Sequence, residues 1–192
     1  MEFNKVIKKR KSARDFNKKF VSFKDILESI SSALEGPFSG NHNNLHFLII
    51  ENPETIKKIS KHCQQIWIQN SKLLVIVCSD ERHLEETYGE RGRVYSKQQA
   101  GAAIATLLLK LTDLSIDSCW VGSYTDDLLK EILKIPQHIQ IEAIIPTGYE
   151  SKNLAKPKKK KLSSAIYWES WKKDKRPTIF EEKVDKLSLR RI

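Results

Sequence analysis

The chain has 192 residues, a formal net charge of +10 and 40% hydrophobic residues, which suffices for one domain with a sizeable core. Its longest apolar runs, such as residues 73–78, are too short to cross a bilayer, and the charged N-terminus lacks the apolar segment of a secretory signal. Cys63, Cys78 and Cys119 form no CxxC pair, which argues against a disulfide scaffold. These features predict a cytoplasmic protein.

The basic excess is concentrated in two segments. Residues 5–19 carry eight Lys or Arg and one Asp, and residues 156–161 carry five Lys. Two such clusters could bind a nucleic acid, or they could converge on one compact anion. The remaining residues have a net charge of −2, which argues against nucleic-acid binding. A lysine run such as residues 156–161 is also common on ordinary solvated surfaces.

In the first half of the chain, the spacing of apolar residues predicts two helices. The first spans about residues 2–9. The second follows Ser22, which serves as its cap with Asp25 three residues later, and ends before Gly36. We expect the second helix to be amphipathic, with apolar positions Ile26, Leu27, Ile30 and Leu34.

Two continuous apolar runs, residues 45–50 and 73–78, are typical of buried strands. Between them, Asn52 caps a helix that begins at Pro53 and places one apolar face toward the core: Ile56, Ile59, Cys63 and Ile66. The following polar segment, residues 80–95, predicts a loop or irregular excursion.

The second half predicts a long helix over residues 98–114, whose small residues at 100–103 indicate close packing against another backbone. The remaining elements are, in order, a strand at residues 119–122, a helix at 125–134, a strand at 139–145 and a turn at 146–149. The fold class is therefore α+β, with helices around a small central sheet.

Beyond residue 150 the periodicity fades, although large apolar residues remain: Ile166, Trp168, Trp171 and Phe180. Such residues in an irregular tail usually need a partner surface. We therefore expect a core over residues 1–150 and a basic segment with a C-terminal arm over residues 151–192, exchanged with a partner subunit.

Two segments carry residues suited to ligand binding. Residues 10–14 pack guanidinium groups and a hydroxyl into five positions, which suits a phosphate, although a plain surface helix has the same composition. Residues 37–41 form a loop that can bring backbone N–H groups and the Asn41 amide close to a flat ligand. Cys119 is expected in the core rather than as a nucleophile, and His42 and His46 lack an evident third metal ligand.

The order of these motifs resembles the nitroreductase-like family of flavin enzymes. The similarity covers nearly the whole chain and includes a basic opening motif, a Pro-Ser-x-x-Asn loop, a family Asn or Gln, a small-residue helix, a Ser-Cys-Trp-Ile-Gly strand, a Pro-x-Gly-Tyr segment and a closing basic segment. The matching residues are 10–16 (RKSARDF), 37–41 (PFSGN), Gln65, 100–103 (AGAA), 118–122 (SCWVG), 146–149 (PTGY) and the lysines before Leu162.

The resemblance implies an FMN-binding homodimer with a mainly antiparallel sheet, each flavin site being built from both chains. It places the FMN phosphate near Arg10, Lys11, Ser12, Arg14, Lys158 and Lys160, the register within residues 158–161 being open. It places the flavin ring near Pro37, Phe38, Ser39, Asn41, Gln65 and Gly122. The implied reaction passes electrons from NAD(P)H through FMN to a nitroaromatic, a quinone or a related small-molecule acceptor, with no acid, base or nucleophile from the protein.

The sequence departs from the family pattern at several positions. Residues 42–44 (HNN) follow Asn41 where the family usually has Gln-Pro-Trp, Gln99 stands where Asp is common, and Thr106 stands where Asn is common. Residues 88–93 resemble a branch of the family that includes peptide azoline dehydrogenases, and their position suits a lid over the flavin. Two alternatives therefore stay open: a basic nucleic-acid-binding protein without flavin, and a flavin-binding protein without turnover.

Overall fold

A computed structural model describes residues 1–151 and 157–176. The chain divides into two units, Met1–Leu154 and Ala155–Ile192, which we describe separately. Phe180 and Lys156, both singled out in the sequence, lie outside the described residues, as does half of the predicted 151–192 segment. Within the described part, no helix is long and apolar enough to span a membrane.

The first unit contains six α-helices and four strands among its described residues. The helices are α1 (Phe3–Lys9), α2 (Phe23–Leu34), α3 (Pro53–His62), α4 (Arg82–Tyr88), α5 (Glu90–Asp113) and α6 (Asp126–Leu133). The strands are β1 (Leu45–Ile50), β2 (Leu73–Asp80), β3 (Asp117–Ser118) and β4 (Ile139–Gly148). Short 3-10 helices span Ser39–Asn41, Ile66–Asn70 and, in the second unit, Leu162–Ser164.

The strands form one antiparallel sheet in the order β1-β2-β4-β3, which confirms the predicted α+β class. Strand β2 is buried along nearly its whole length, because helices cover both faces of the sheet. On one face, α2 and α5 pack over Val75, Val77 and Ala143. On the other, residues of α3 and α6 pack over Leu74 and Ile76.

Residues 12–17 extend the sheet at its β3 edge. The Ala13 N–H donates to the Ser118 carbonyl at 3.0 Å, and the Asn17 N–H donates to the Tyr149 carbonyl at 2.9 Å. The Phe16 ring packs so closely on Gly148 that a Cβ at this glycine would lie 2.7 Å from Phe16 Cδ1. The N-terminal basic motif is therefore fixed by backbone pairing and by one aromatic contact.

The prediction of a loop over residues 80–95 was wrong, because this segment forms α4 and the first turns of α5. Gly89, at φ 59°, joins the two helices. Gly92 allows α4 and α5 to pack closely, because a Cβ at this position would lie only 2.1 Å from the Leu84 carbonyl oxygen. Glycines that indicated a loop in the sequence therefore serve a helix junction and a close helix contact.

Other boundaries also differ from the predictions. Residues 146–148 continue β4 instead of forming a turn, since the Pro146 carbonyl still accepts the Cys119 N–H at 3.2 Å. Of the predicted 119–122 strand, Val121 alone forms an isolated bridge, to Ile144. β1 is only half buried because it lies at the sheet edge. Three residues assigned to apolar helix faces are exposed: Leu27, Leu34 and Ile66.

The close contact between Phe16 and Gly148 predicts a coupled stability effect. We expect Gly148→Ala to lower the free energy of unfolding by about 1–3 kcal/mol, because a methyl group has no room beneath the ring. In a Phe16→Leu background the same substitution should cost clearly less, since the clashing ring is gone. Urea unfolding of the four proteins measures both values, and an equal cost in the two backgrounds would contradict the contact.

Candidate functional site

The N-terminal basic motif lies in extended backbone beside β3. Ala13 is fully buried, while Ser12 and Arg14 on either side of it are exposed, as expected for alternating residues of a strand. The side chains of Arg14, Ser12 and Arg10 are all near the Cys119 thiol. Two guanidinium groups and a hydroxyl therefore gather over one end of the sheet, in an arrangement suited to a phosphate.

Lys11 differs from its neighbours because its ammonium group pairs with Glu150. The Glu150 side chain is 5% exposed, and its backbone N–H donates to Asp117 Oδ2 at 2.9 Å. Within the described residues, Glu150 Oε1 is buried without a hydrogen-bond partner. Since a buried carboxylate is costly without a counter-charge, Lys11 stabilises the Glu150 carboxylate.

The loop at residues 37–41 forms a tight turn that packs beside α5. Gly40 and Asn41 both adopt left-handed backbone, with φ angles of 58° and 57°. The Asn41 and His42 N–H groups donate within the turn, to Phe38 and Ser39 carbonyls at 3.0 Å, and the Ser39 N–H donates to Gln99 Oε1 at 3.1 Å. The N–H groups of Ser39, Asn41 and His42 are therefore used within the chain, and the exposed Asn41 side chain is an amide that the turn presents.

The other predicted residues occupy separate places. Gln65 immediately precedes the 3-10 helix Ile66–Asn70 and is half buried, and its carbonyl accepts the Ser60 hydroxyl at 3.0 Å. Gly122 is exposed directly after the Val121 bridge. Lys158 and Lys160 belong to the second unit, where both are exposed in a segment without regular structure.

Within one chain, the predicted ring-facing residues divide between the two sides of the sheet. Phe38 packs against the cluster that contains the α5 residues. Val121, which precedes Gly122, and Trp67, two residues after Gln65, pack with the opposite cluster, the one that contains α3 and α6 residues. Phe38 and the neighbours of Gln65 and Gly122 thus pack on opposite sides of the sheet.

The cysteines are unsuited to nucleophilic chemistry. All three are buried, and burial raises the pKa of the Cys63 and Cys78 thiols to about 12. Burial also raises the pKa of Cys119, although Arg14, Ser12 and Arg10 act in the opposite direction. Each thiol therefore stays protonated at neutral pH, which agrees with the interpretation of Cys119 as a core residue.

A polar cavity of about 450 Å³ lies between the start of β1 and α4. Its lining includes His42, His46 and His83, and the His42 and His83 rings lie 4.0 Å apart between centroids. Among the described residues, no group of three or more His, Cys, Asp or Glu side chains is arranged to hold a metal ion.

Sequence reasoning missed Glu150 and the role of Gln99. Gln99 is 4% exposed and Ser96, one helical turn earlier, is fully buried. Both share the α5 face that carries Ala103 and Leu107. The sequence did contain a signal for this role: Ser96 and Gln99 are polar residues on an otherwise apolar helix face. Buried polar residues need hydrogen-bond partners, which predicts a buried contact at these positions. Glu150 offered no comparable pattern.

Comparison with known proteins agrees with this architecture. The family model described as "Nitroreductase family" matches residues 7–83 and 67–149. A candidate NADH dehydrogenase/NAD(P)H nitroreductase from Archaeoglobus fulgidus is 28% identical over 150 residues, which cover 76% of this chain and 83% of that protein.

Solved structures share the fold. A nitroreductase family protein from Clostridium novyi NT has a TM-score of 0.71 at 25% identity, with 90% of this chain and 96% of that one covered. An FMN-dependent nitroreductase from Clostridium difficile R20291 has a TM-score of 0.74 at 20% identity, with 86% and 98% covered. Together with the family match across the sheet, the basic motif and the loop, these similarities show that the chain belongs to the nitroreductase family of oxidoreductases.

Proposed function

We propose that this protein is an FMN-dependent oxidoreductase that uses NAD(P)H as its electron donor. The acceptor class we propose is a nitroaromatic, a quinone or a related small molecule. The observation that carries the proposal is the group of Arg10, Ser12 and Arg14 side chains near Cys119, held by the Ala13 to Ser118 backbone hydrogen bond of 3.0 Å. A pre-positioned array of this kind binds a phosphate monoester without ordering a flexible segment first.

The residues present fit the phosphate end of FMN. Arg10 and Arg14 supply the forked donors and Ser12 supplies a hydroxyl, while Lys11 cancels the charge of Glu150. We therefore assign Lys11 a supporting role beside the phosphate. Lys158 and Lys160 are the proposed second source of positive charge, in keeping with their exposure.

The residues proposed for the ring end carry no charge. Asn41 supplies an exposed amide for the hydrogen-bonding edge of the ring, with Pro37, Phe38 and Ser39 framing the turn, and Gln65 and Gly122 are proposed for the same ligand. Bound FMN supplies the redox chemistry, since it accepts a hydride from NAD(P)H and returns electrons to the second substrate. The protein's part is binding, orientation and exclusion of water.

We further propose that the protein acts as a homodimer with each site built from both chains. The turn at residues 37–41 and the Gln65 and Gly122 positions lie on opposite sides of one sheet, so a single ring meets both only if they come from different subunits. Apolar side chains on and beside α1 and α2 support a subunit contact, because large apolar residues are exposed there: Phe3, Ile7, Phe20, Phe23 and Leu27.

The primary test is the visible absorption spectrum of the purified protein. We expect flavin bands, release of FMN on denaturation, and oxidation of NAD(P)H when a quinone is added. A protein that binds FMN but oxidises no NAD(P)H would support flavin binding without turnover. A colourless protein that takes up no FMN and binds DNA with a steep salt dependence would overturn the proposal in favour of nucleic acid binding.

Removal of a guanidinium group tests the phosphate assignment. Arg10→Ala and Arg14→Ala should each weaken FMN binding roughly tenfold or more, because a charge-assisted hydrogen bond contributes about 1.5–3 kcal/mol. Lys8→Ala is the matched control, since Lys8 is exposed on α1 and its loss changes the net charge equally. Fluorescence titration measures the dissociation constants, and unchanged affinity in both arginine variants would contradict the assignment.

Subunit complementation tests the shared site. Arg14→Ala and Asn41→Ala homodimers should both bind FMN weakly. When the two variants are co-expressed with different tags and the heterodimer is isolated, one of its two sites combines an intact Arg14 from one chain with an intact Asn41 from the other. We therefore expect about one tightly bound FMN per heterodimer. Weak binding at both sites of the heterodimer would show that each chain builds its own site.

A further inference from the structure

Three buried polar side chains connect the turn at residues 37–41 to the core. Asn44, Ser96 and Gln99 are 3%, 0% and 4% exposed. Asn44 directly precedes β1, whereas Ser96 and Gln99 lie one turn apart on α5. Buried polar groups of this kind are stable only when they are hydrogen-bonded, so their partners define what the cluster holds in place.

The Gln99 amide binds the turn from both sides. Its Oε1 accepts the Ser39 N–H at 3.1 Å, and its Nε2 donates to the His42 carbonyl at 3.2 Å and to Asn44 Oδ1 at 2.5 Å. Reversing the amide would place an oxygen against the His42 carbonyl and an NH₂ group against the Ser39 N–H. The partners therefore determine the orientation of the Gln99 side chain.

Asn44 links Gln99 to the sheet through further hydrogen bonds. Its Nδ2 donates to Ser96 Oγ and to the Asp80 carbonyl, each at 2.9 Å. The Asp80 N–H in turn donates to the Asn44 carbonyl at 2.9 Å. The turn is thus joined through Gln99 and Asn44 to α5 and to the end of β2, two rigid elements of the core.

The two Gln99 contacts flank the left-handed part of the turn. Gly40 and Asn41 adopt left-handed backbone in succession, a conformation that Gly takes readily and that Asn tolerates better than most other residues. Gln99 binds residue 39 before the pair and residue 42 after it. On the outer side, a Cβ at Gly40 would lie 2.7 Å from the Tyr88 hydroxyl, so the turn is confined between α4 and α5.

We propose that Gln99 is a positioning residue for flavin binding: it holds the turn at residues 39–42 in the conformation that presents Asn41 to the flavin ring. This inference rests on the proposed function, because it assigns a cause to the geometry of the same site. Gln99 itself touches no ligand.

The test uses Gln99→Met, which keeps the side-chain length and removes all three hydrogen bonds. The matched control is Thr112→Val, since Thr112 is also buried on α5 but donates only to the Leu108 carbonyl of its own helix, at 2.8 Å. Amide hydrogen exchange of residues 38–42 is measured in flavin-free protein. FMN affinity, the visible circular dichroism of bound FMN and its midpoint potential are measured in the loaded protein.

We expect exchange at residues 38–42 to accelerate at least tenfold in Gln99→Met, FMN binding to weaken about tenfold, and the dichroism and potential to change. Thr112→Val should match the wild type in all of these measurements. If Gln99→Met does not fold, Gln99→Glu retains the acceptor for the Ser39 N–H but cannot donate to His42 or Asn44, so exchange at residues 38–42 should again accelerate and FMN binding should weaken.

Each contrary result has a distinct meaning. Unchanged exchange at residues 38–42 would show that Gln99 does not hold the turn. Faster exchange with unchanged FMN affinity, dichroism and potential would show that the turn does not position the flavin. Failure of the wild-type protein to bind FMN would overturn the proposed function itself, and the exchange measurement would still report whether the Gln99 contacts fix the turn.

Discussion

Burial of β2 on both of its faces is the constraint on which the architecture depends. Because this strand is apolar along nearly its whole length, the chain must supply helices on both sides of the sheet. The same layering places Phe38 on one side of the sheet and Trp67 and Val121, the neighbours of Gln65 and Gly122, on the other. The proposal of a two-chain flavin site rests on this division.

Side chains of the basic motif have different surroundings in the fold. Ala13 anchors the segment by its buried methyl group and by its hydrogen bond to Ser118, which leaves Ser12 and Arg14 exposed on either side. Lys11 turns to Glu150 instead. Arg10, Ser12 and Arg14 are therefore proposed to bind an anion, whereas Lys11, from the same short segment, compensates a buried carboxylate.

The sequence predicted the helix caps at Ser22 and Asn52 and the strand at residues 45–50 because local chemistry determines them. It failed at residues 80–95, where Gly92 permits a helix contact that depends on Leu84. It also failed at Leu27 and Ile66, since an apolar residue does not specify whether it faces the core or a partner. The basic motif and the turn were recognisable, but the Gln99 and Glu150 contacts join distant parts of the chain.

Charged side chains at and beside the end of β2 form ion pairs within the chain. Arg82 binds Asp80 through Nε at 2.9 Å and Nη2 at 2.6 Å, and this hydrogen bonding lowers the pKa of Asp80 to about 2. Lys97 bridges Glu81 and Glu142 at 3.0 and 2.9 Å. In the proposed two-chain site, one end is therefore positive, whereas at the other two cations face three carboxylates. A phosphate-bearing ligand with a neutral ring enters such a site in one orientation only, because reversal would place its phosphate beside carboxylates and its ring among cations.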